Sequence, residues 1–177
     1  MEEKNTQSKT QTSVGSAETR KTTTKKPVVP RDVDPTQYVV VRNGFQGRLV
    51  YKSKKTGERF VWDEFGSEQE MELRELRNAK NTYKKYFQNN WFMFDEDWIV
   101  DYLGVRQFYK NAVSIEEFDS IFEKPADEIK AIISELSAGQ RKSAAYRARQ
   151  LIIDGKIDSH KAITALEESL GIELIER

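Results

Sequence analysis

Hydrophobic and polar positions change their rhythm twice along the 177-residue chain. Over residues 1–36 there is no aromatic side chain and only scattered Val, while Ser, Thr, Lys, Gln and Glu dominate and Pro27, Pro30 and Pro35 punctuate the end. Such a stretch cannot bury enough apolar surface to offset roughly 1–2 kcal/mol of backbone entropy per residue, which predicts a disordered N-terminal arm. From Tyr38 the pattern turns short and β-like. Val39-Val40-Val41 is a β-branched run closed by Asn43-Gly44, a turn signal because both residues tolerate positive φ. Leu49, Val50 and Tyr51 form a second strand within residues 48–52. Lys54-Lys55-Thr56-Gly57 is a hairpin turn, and Phe60, Val61 and Trp62 return antiparallel. Residues 68–73 alternate polar positions with Met71 and Leu73, a fourth strand. From Arg74 the period shifts to a helix through Leu76, Ala79, Tyr83 and Phe87, ended by Asn89-Asn90, and residues 91–94 read as a last buried strand. Residues 37–109 are therefore expected to be an α+β domain: a small bent antiparallel sheet or half-open barrel with one helix.

From the last part of that domain onward the spacing is helical. Trp98, Ile99, Tyr102 and Leu103 share one helical face, closed by Gly104. Ser114 with Glu117 makes a capping box ahead of Ile115, Phe118, Ile121 and Phe122. Pro125 stands at a helix start, and Ile129, Ile132, Ile133 and Leu136 form an i, i+3, i+4, i+7 stripe. Ser137 opens a third helix through Ala144, Ala148, Leu151 and Ile152, which Gly155 ends. Asp158 or Ser159 caps a fourth, with Ile163, Leu166 and Leu170 inward and Gly171 beyond. Short loops predict antiparallel neighbours, so residues 110–177 read as a C-terminal helical bundle.

Composition sharpens the division. Sixteen of the nineteen aromatics, including all three tryptophans, fall within residues 38–109, which marks an aromatic core there. The balance of 29 basic against 29 acidic residues holds by segment: seven against five in 1–37, twelve against eleven in 38–109, ten against thirteen in 110–177. No segment is a strong electrostatic device. No apolar run approaches the roughly 18–20 residues that span a bilayer, so no membrane partner and a soluble, unsecreted protein are expected.

The inventory of reactive groups is narrow. Without cysteine there is no disulfide, thiol nucleophile or Cys-rich metal site, and the single His160 rules out a His-rich one within the chain. No phosphate loop is present, since Gly155-Lys156 is followed by Ile157, and Gly66-Ser67 is followed by Glu68, so no nucleophile elbow exists. Asp95-Glu96-Asp97 precedes a helix, where carboxylates cap free N–H groups and meet the positive end of the dipole. Glu128-Ile129-Lys130 resembles a metal-nuclease element only in residue type, because at a helix start its two charges diverge. His160 reads as an exposed or capping residue of the last helix. The expectation is a protein without cofactor or metal, and not an enzyme.

Basic groups offer more. Arg48, Lys52, Lys54, Lys55 and Arg59 crowd the hairpin and interleave with Tyr51 and Phe60, a combination that tracks phosphates while rings stack on bases. Arg141, Lys142, Arg147 and Arg149 ride the third bundle helix, and Arg149 follows Lys142 by seven residues, on the same face. Arg20, Lys21, Lys25 and Lys26 give the arm a basic cluster for nucleic acid or an acidic protein surface.

Trp62-Asp63-Glu64-Phe65-Gly66, then Met71 and Leu76, then Asn89-Asn90-Trp91-Phe92-Met93-Phe94-Asp95 resemble small uncharacterised proteins encoded among virion genes of tailed phages of Gram-positive bacteria. Residues 136–175, with Tyr146-Arg147-Ala148, resemble the helical end of those proteins, so the resemblance covers about residues 38–177. It carries no family activity and no functional residue. It implies a virion structural or assembly protein, located in the virion or, during assembly, in the host cytoplasm. Such a protein is expected to be oligomeric, with other virion proteins as partners and the arm docking on neighbouring subunits. The alternative is a nucleic-acid-binding protein using the 48–59 hairpin.

Overall fold

Along Tyr38–Asn43 (β1) every second side chain turns inward: Val39, Val41 and Asn43 are buried, while Val40 and Arg42 are partly covered. In the computed structural model, which describes residues 29–175, β1 is the middle of a three-stranded antiparallel sheet. Its neighbours are Glu68–Glu72 (β4) and the two-residue Phe92–Met93 (β5). Leu49–Lys52 (β2) and Arg59–Trp62 (β3) pair as a separate hairpin. The α+β class expected from the sequence is the one observed, with its strands divided over two small sheets. Side chains join them where no backbone ladder does: Trp62 Nε1 donates to Val41 O at 2.8 Å, and Gln69 Nε2 to Val61 O at 2.9 Å.

The inward residues of both sheets build an aromatic core. Tyr51, Trp62, Phe87 and Phe92 are fully buried, and their rings meet at centroid distances of 5.3–5.7 Å for the pairs Tyr51–Phe92, Trp62–Phe92 and Phe87–Phe92. Edge and tilted contacts of this kind add to the apolar burial. The Tyr51 hydroxyl donates to Glu75 Oε1 at 2.6 Å, so the one buried carboxylate of this core is held rather than stranded. Burial, and then the Glu75 carboxylate, push the Tyr51 hydroxyl well above its usual range, which keeps it a donor.

Leu73–Thr82 (α1) ends earlier than its apolar spacing predicts. Tyr83 leaves helical geometry (φ −137°, ψ 59°), and a single turn, Lys85–Gln88 (α2), follows. Asn81 and Thr82 are weak helix formers, and Tyr83 places its ring edge-on to Tyr51 instead of continuing the helix. The start of α1 is supplied from the chain before β1: Pro35 O accepts from Arg74 N and Gln37 O from Leu73 N. Val33 packs on the same core, so the arm expected over 1–36 is docked from Val33 onward. Asp97–Leu103 (α3) closes the domain, with Gly104 at positive φ as its C-cap.

The C-terminal part contains Ala126–Glu135 (α4), Ala138–Ile153 (α5) and His160–Leu170 (α6). Phe118, Ile121, Ile129, Ile133, Ala144, Ala148 and Leu166 are buried together in a second core. The helix expected after Ser114 is instead a run of turns with a 3-10 segment at Asp119–Glu123. Ser114 and Glu117 do pair, but Lys124 is held extended ahead of Pro125, which stops an α-helix from growing back through it. Ser137 caps α5 as expected, accepting from Gln140 N at 3.1 Å. The main neighbour of α4 is α6 rather than α5, its successor in sequence, and Lys130 bonds Glu168 across that pair at 2.6 Å.

The two cores meet through backbone. A Cβ on Gly44 would stand 2.0 Å from Asn90 O, and one on Gly139 would stand 2.0 Å from Asn89 O. Ser143 Oγ, one turn further along α5, donates to Gly44 O at 3.1 Å. Gly44 is thus required by close approach. Neither it nor Asn43 adopts the positive φ expected of that turn; Asn90 does, at 52°. Asn43 instead bonds Gly47 O, Glu64 O and Phe45 N through its side chain. In an ordinary helix, alanine for glycine gains about 1 kcal/mol. Gly139→Ala is expected to reverse that sign and cost about 2–3 kcal/mol, because both colliding groups are anchored. Urea unfolding of the variant measures it, and a stabilised Gly139→Ala would refute the close contact.

Candidate functional site

Among the sequence-predicted contact residues, Arg48, Lys52, Lys54, Lys55 and Arg59 are all exposed on the hairpin. Ser53 shapes its turn, with Oγ accepting from Lys55 N at 3.2 Å and Thr56 N at 3.1 Å, and Gly57 takes positive φ. Arg48 pairs with Asp63 at 3.4 Å, and the Lys54 ammonium lies 5.0 Å from the Tyr83 ring centre. The aromatic half of the expected arrangement is not there. Tyr51 and Phe60 alternate with the basic residues and, by the period of two, point into the core. Between the hairpin turn and α1 lies a cleft of about 300 Å³ lined by Tyr38, Lys55, Phe60, Glu72, Arg74 and Glu75. Three of its charges are engaged, Arg74 with Glu72 and Glu75 by Tyr51 and Asn78, while Lys55 and Glu58 on its rim make no ion pair among the described residues.

The acidic triplet has ion-pairing work rather than capping work. No side chain caps α3. Asp95 pairs with Arg42 at 3.0 Å and Asp97 with Arg106 at 3.2 Å, while Glu96 accepts from Trp98 Nε1 at 2.5 Å. Arg42 also reaches Glu68 at 3.0 Å and Glu116 at 2.9 Å, so one guanidinium ties β1, β4, the 95–97 loop and the segment before the second core. Among the described residues no group of three or more Asp, Glu or His side chains is placed to hold a metal ion. Glu128 and His160 are exposed, and Lys130 is engaged by Glu168. Arg20, Lys21, Lys25 and Lys26 lie outside the described residues.

The second basic set leads to a surface. α5 turns its small residues inward: Gly139, Ser143, Ala144 and Ala148 are buried with Gln140 and Leu151. Gln140 grips the Val113 backbone at both ends, and Arg147 pairs bidentately with Asp119, so the orientation of the helix is fixed. Lys142, Tyr146, Arg149 and Ile153, at i, i+4, i+7 and i+11, then form the outer face over about 16 Å. Tyr146 is 56% exposed and Ile153 70%, the latter the most exposed large apolar side chain among the described residues. Arg149 donates to Glu173 O at 3.0 Å, and Leu174 N donates to Glu167 Oε1 at 2.9 Å. These bonds bring the C-terminal segment to Arg149, and Ile172 and Ile175 of that segment are exposed. Reading only the basic residues of α5 misses Tyr146 and Ile153. The signal that finds them is a second apolar pair on the wheel, opposite the Ala144–Ala148–Leu151 side.

No helix of the described residues is long and apolar enough to cross a membrane. No protein-family model matches the chain, and no match is found among curated proteins or solved structures.

The Arg147 guanidinium holds the Asp119 carboxyl below the usual carboxylate range, and Arg106 does the same for Asp101. Groups lowered in the folded state add stability above the unfolded carboxylate value, about pH 4, and lose it as pH falls through the lowered one. Asp119→Asn is therefore expected to flatten the loss of stability below about pH 4. Urea midpoints between neutral and acidic pH test this, and identical acid limbs in both proteins would show the pair to be idle.

Proposed function

We propose that the protein is a non-enzymatic structural or assembly component of a phage particle that acts through protein–protein contacts. The residues ahead of Val33 serve as an arm that docks on neighbouring subunits. The observation that carries the contact reading is the outer face of α5, where Tyr146 and Ile153 stand exposed on a helix locked from behind. Exposed apolar side chains on a rigid element mark interaction sites, and full burial of each against a partner is worth about 1.5–3 kcal/mol. The resemblance to virion-encoded proteins supplies the particle, and the host cytoplasm is where assembly would occur. On this reading the chain functions as one subunit of an oligomer with other virion proteins around it.

Deleting residues 1–28 tests the arm without touching Val33 or the Pro35 carbonyl that serves α1. The expected outcome is an unchanged thermal midpoint with poor incorporation into the assembly. Normal incorporation of that truncation sinks the arm.

The rival reading gives the hairpin a nucleic acid. With Tyr51 and Phe60 buried, only phosphate contact by Lys52, Lys54, Lys55, Arg48 and Arg59 remains to it. Lys54→Ala with Lys55→Ala is expected to leave any mobility shift of single- or double-stranded DNA unchanged. A shift that disappears in the double variant, and at higher salt in the unaltered chain, would establish the rival instead.

A further inference from the structure

Glu75 is the one charged side chain buried among the described residues, 6% exposed, and it lines the cleft of about 300 Å³ between the hairpin turn and α1. Its oxygens are met by neutral groups alone, the Tyr51 hydroxyl at 2.6 Å and the Asn78 amide at 3.3 Å, and it makes no ion pair among the described residues. A carboxylate offers about four acceptor positions, so two remain. Taking such a group out of water is costly unless a cation comes with it. The other charges of the cleft cancel in pairs. Arg74 is bound to Glu72, which also receives the Tyr38 hydroxyl, and Lys55 and Glu58 oppose each other in sign on the rim. One negative charge is left over, and it sits on Glu75. Tyr38, 61% exposed, and Phe60 give the same cleft aromatic walls.

We infer that this cleft is a binding site for the guanidinium group of an arginine, its planar head on the Glu75 carboxylate and its carbon stem along Tyr38 and Phe60. A guanidinium sheds water more readily than an ammonium, lies flat on aromatic rings and presents paired donors to a carboxylate. The volume is at the lower end of small-ligand sites and suits one side chain rather than a large cofactor. An anion would meet the buried carboxylate and be refused. A metal ion would find too few oxygen ligands, since no group of three acidic or histidine side chains lies there. Lys55, the unpaired cation of the rim, does not take the place, because it forms no ion pair with Glu75. The cleft shares no residue with α5, so the inference goes beyond the contact reading and is judged apart from it.

The test titrates N-acetyl-arginine methylamide into the isotope-labelled full chain, beside the matching citrulline and lysine compounds. Citrulline keeps the shape of arginine without its charge. The arginine compound is expected to shift the amide resonances of residues 55–60 and 74–78, the lysine compound to do so several-fold more weakly, and the citrulline compound to leave them unmoved. Glu75→Gln keeps an acceptor for Tyr51 and removes the charge, and should weaken the response about tenfold or more. Lys55→Glu, on the exposed turn where folding is not at stake, removes a repulsive charge from the rim. It should strengthen the response by several-fold, and more at low salt than at high. Free arginine separates the two sources of the group: tighter binding of the blocked compound assigns a protein side chain, tighter binding of the free amino acid a small-molecule ligand, and the site stands in both cases. Three results would each overturn the inference: a response to citrulline or lysine equal to that of arginine, no response to any of them, or undiminished binding by a Glu75→Gln chain of unchanged circular dichroism. Where Glu75→Gln does not fold, an unaltered affinity of Lys55→Glu overturns it instead.

Discussion

The Asn89 and Asn90 carbonyl oxygens lie where a side chain on Gly139 and on Gly44 would begin, and the relation between the two cores hangs on that contact. Asn90 takes a positive φ to make the turn, and its amide holds Phe108 O at 2.8 Å, so the wedge cannot retreat. Gly44 is fastened equally well, with its N–H on Trp91 O and its carbonyl receiving Ser143 Oγ. Three backbone segments from β1, the α2–β5 turn and the start of α5 are thereby fixed with no side chain between them. Ion pairs and rings elaborate this junction: Arg42 crosses it to Glu116, and Phe65 meets Phe118 at 5.1 Å.

That contact dictates the character of α5. A helix whose N-terminal turn must touch backbone places a small residue at the contact, and Gly139, Ser143, Ala144 and Ala148 make up most of what it turns inward, with Gln140 and Leu151. Bulk is displaced to the outside, where Tyr146 and Ile153 stand. A surface helix normally buries its large apolar residues and exposes its small and charged ones. α5 inverts the size order while keeping basic residues outside, and the exposed pair is a consequence of the packing behind it. The same geometry makes the face stiff, since Gln140, Ser143 and Arg147 hold the inner side at three successive turns.

Legibility in the sequence followed the range of the interactions. Strands with alternating burial, the 54–57 turn, the Ser137 cap and the glycine stops at Gly104 and Gly171 depend on neighbours within a few residues, and their spacing revealed them. Where the local pattern and a distant demand disagreed, the distant one won. Tyr83 abandoned α1 for Tyr51, the 114–122 pattern yielded to Pro125, and the Asp95–Asp97 carboxylates went to Arg42 and Arg106. Asn43-Gly44 and Asn89-Asn90 were legible as turns. That they meet each other and Gly139 was not, because close backbone approach leaves only small residues as its trace. The hairpin's aromatics were misjudged for a simpler reason. A period of two sends Tyr51 and Phe60 to one side and the basic residues to the other, so composition placed together what the pleat separates.

Overall neutrality conceals how unevenly the charges are used. Arg42 alone occupies three carboxylates, Arg106 two, and Arg147 and Lys130 one each. Pairing of this kind draws acidic groups to the junction and to the inner sides of the helices. Among the basic groups without a carboxylate partner in the described residues, Lys142 stands on the outer side of α5 in line with Tyr146 and Ile153. A chain with zero net charge can therefore present a directional surface, because ion pairs within the fold cancel charge where they form and leave the remainder where they do not. Screening over roughly 8–10 Å at physiological salt keeps that remainder local, so a partner pressed against α5 meets the face itself and not the chain average.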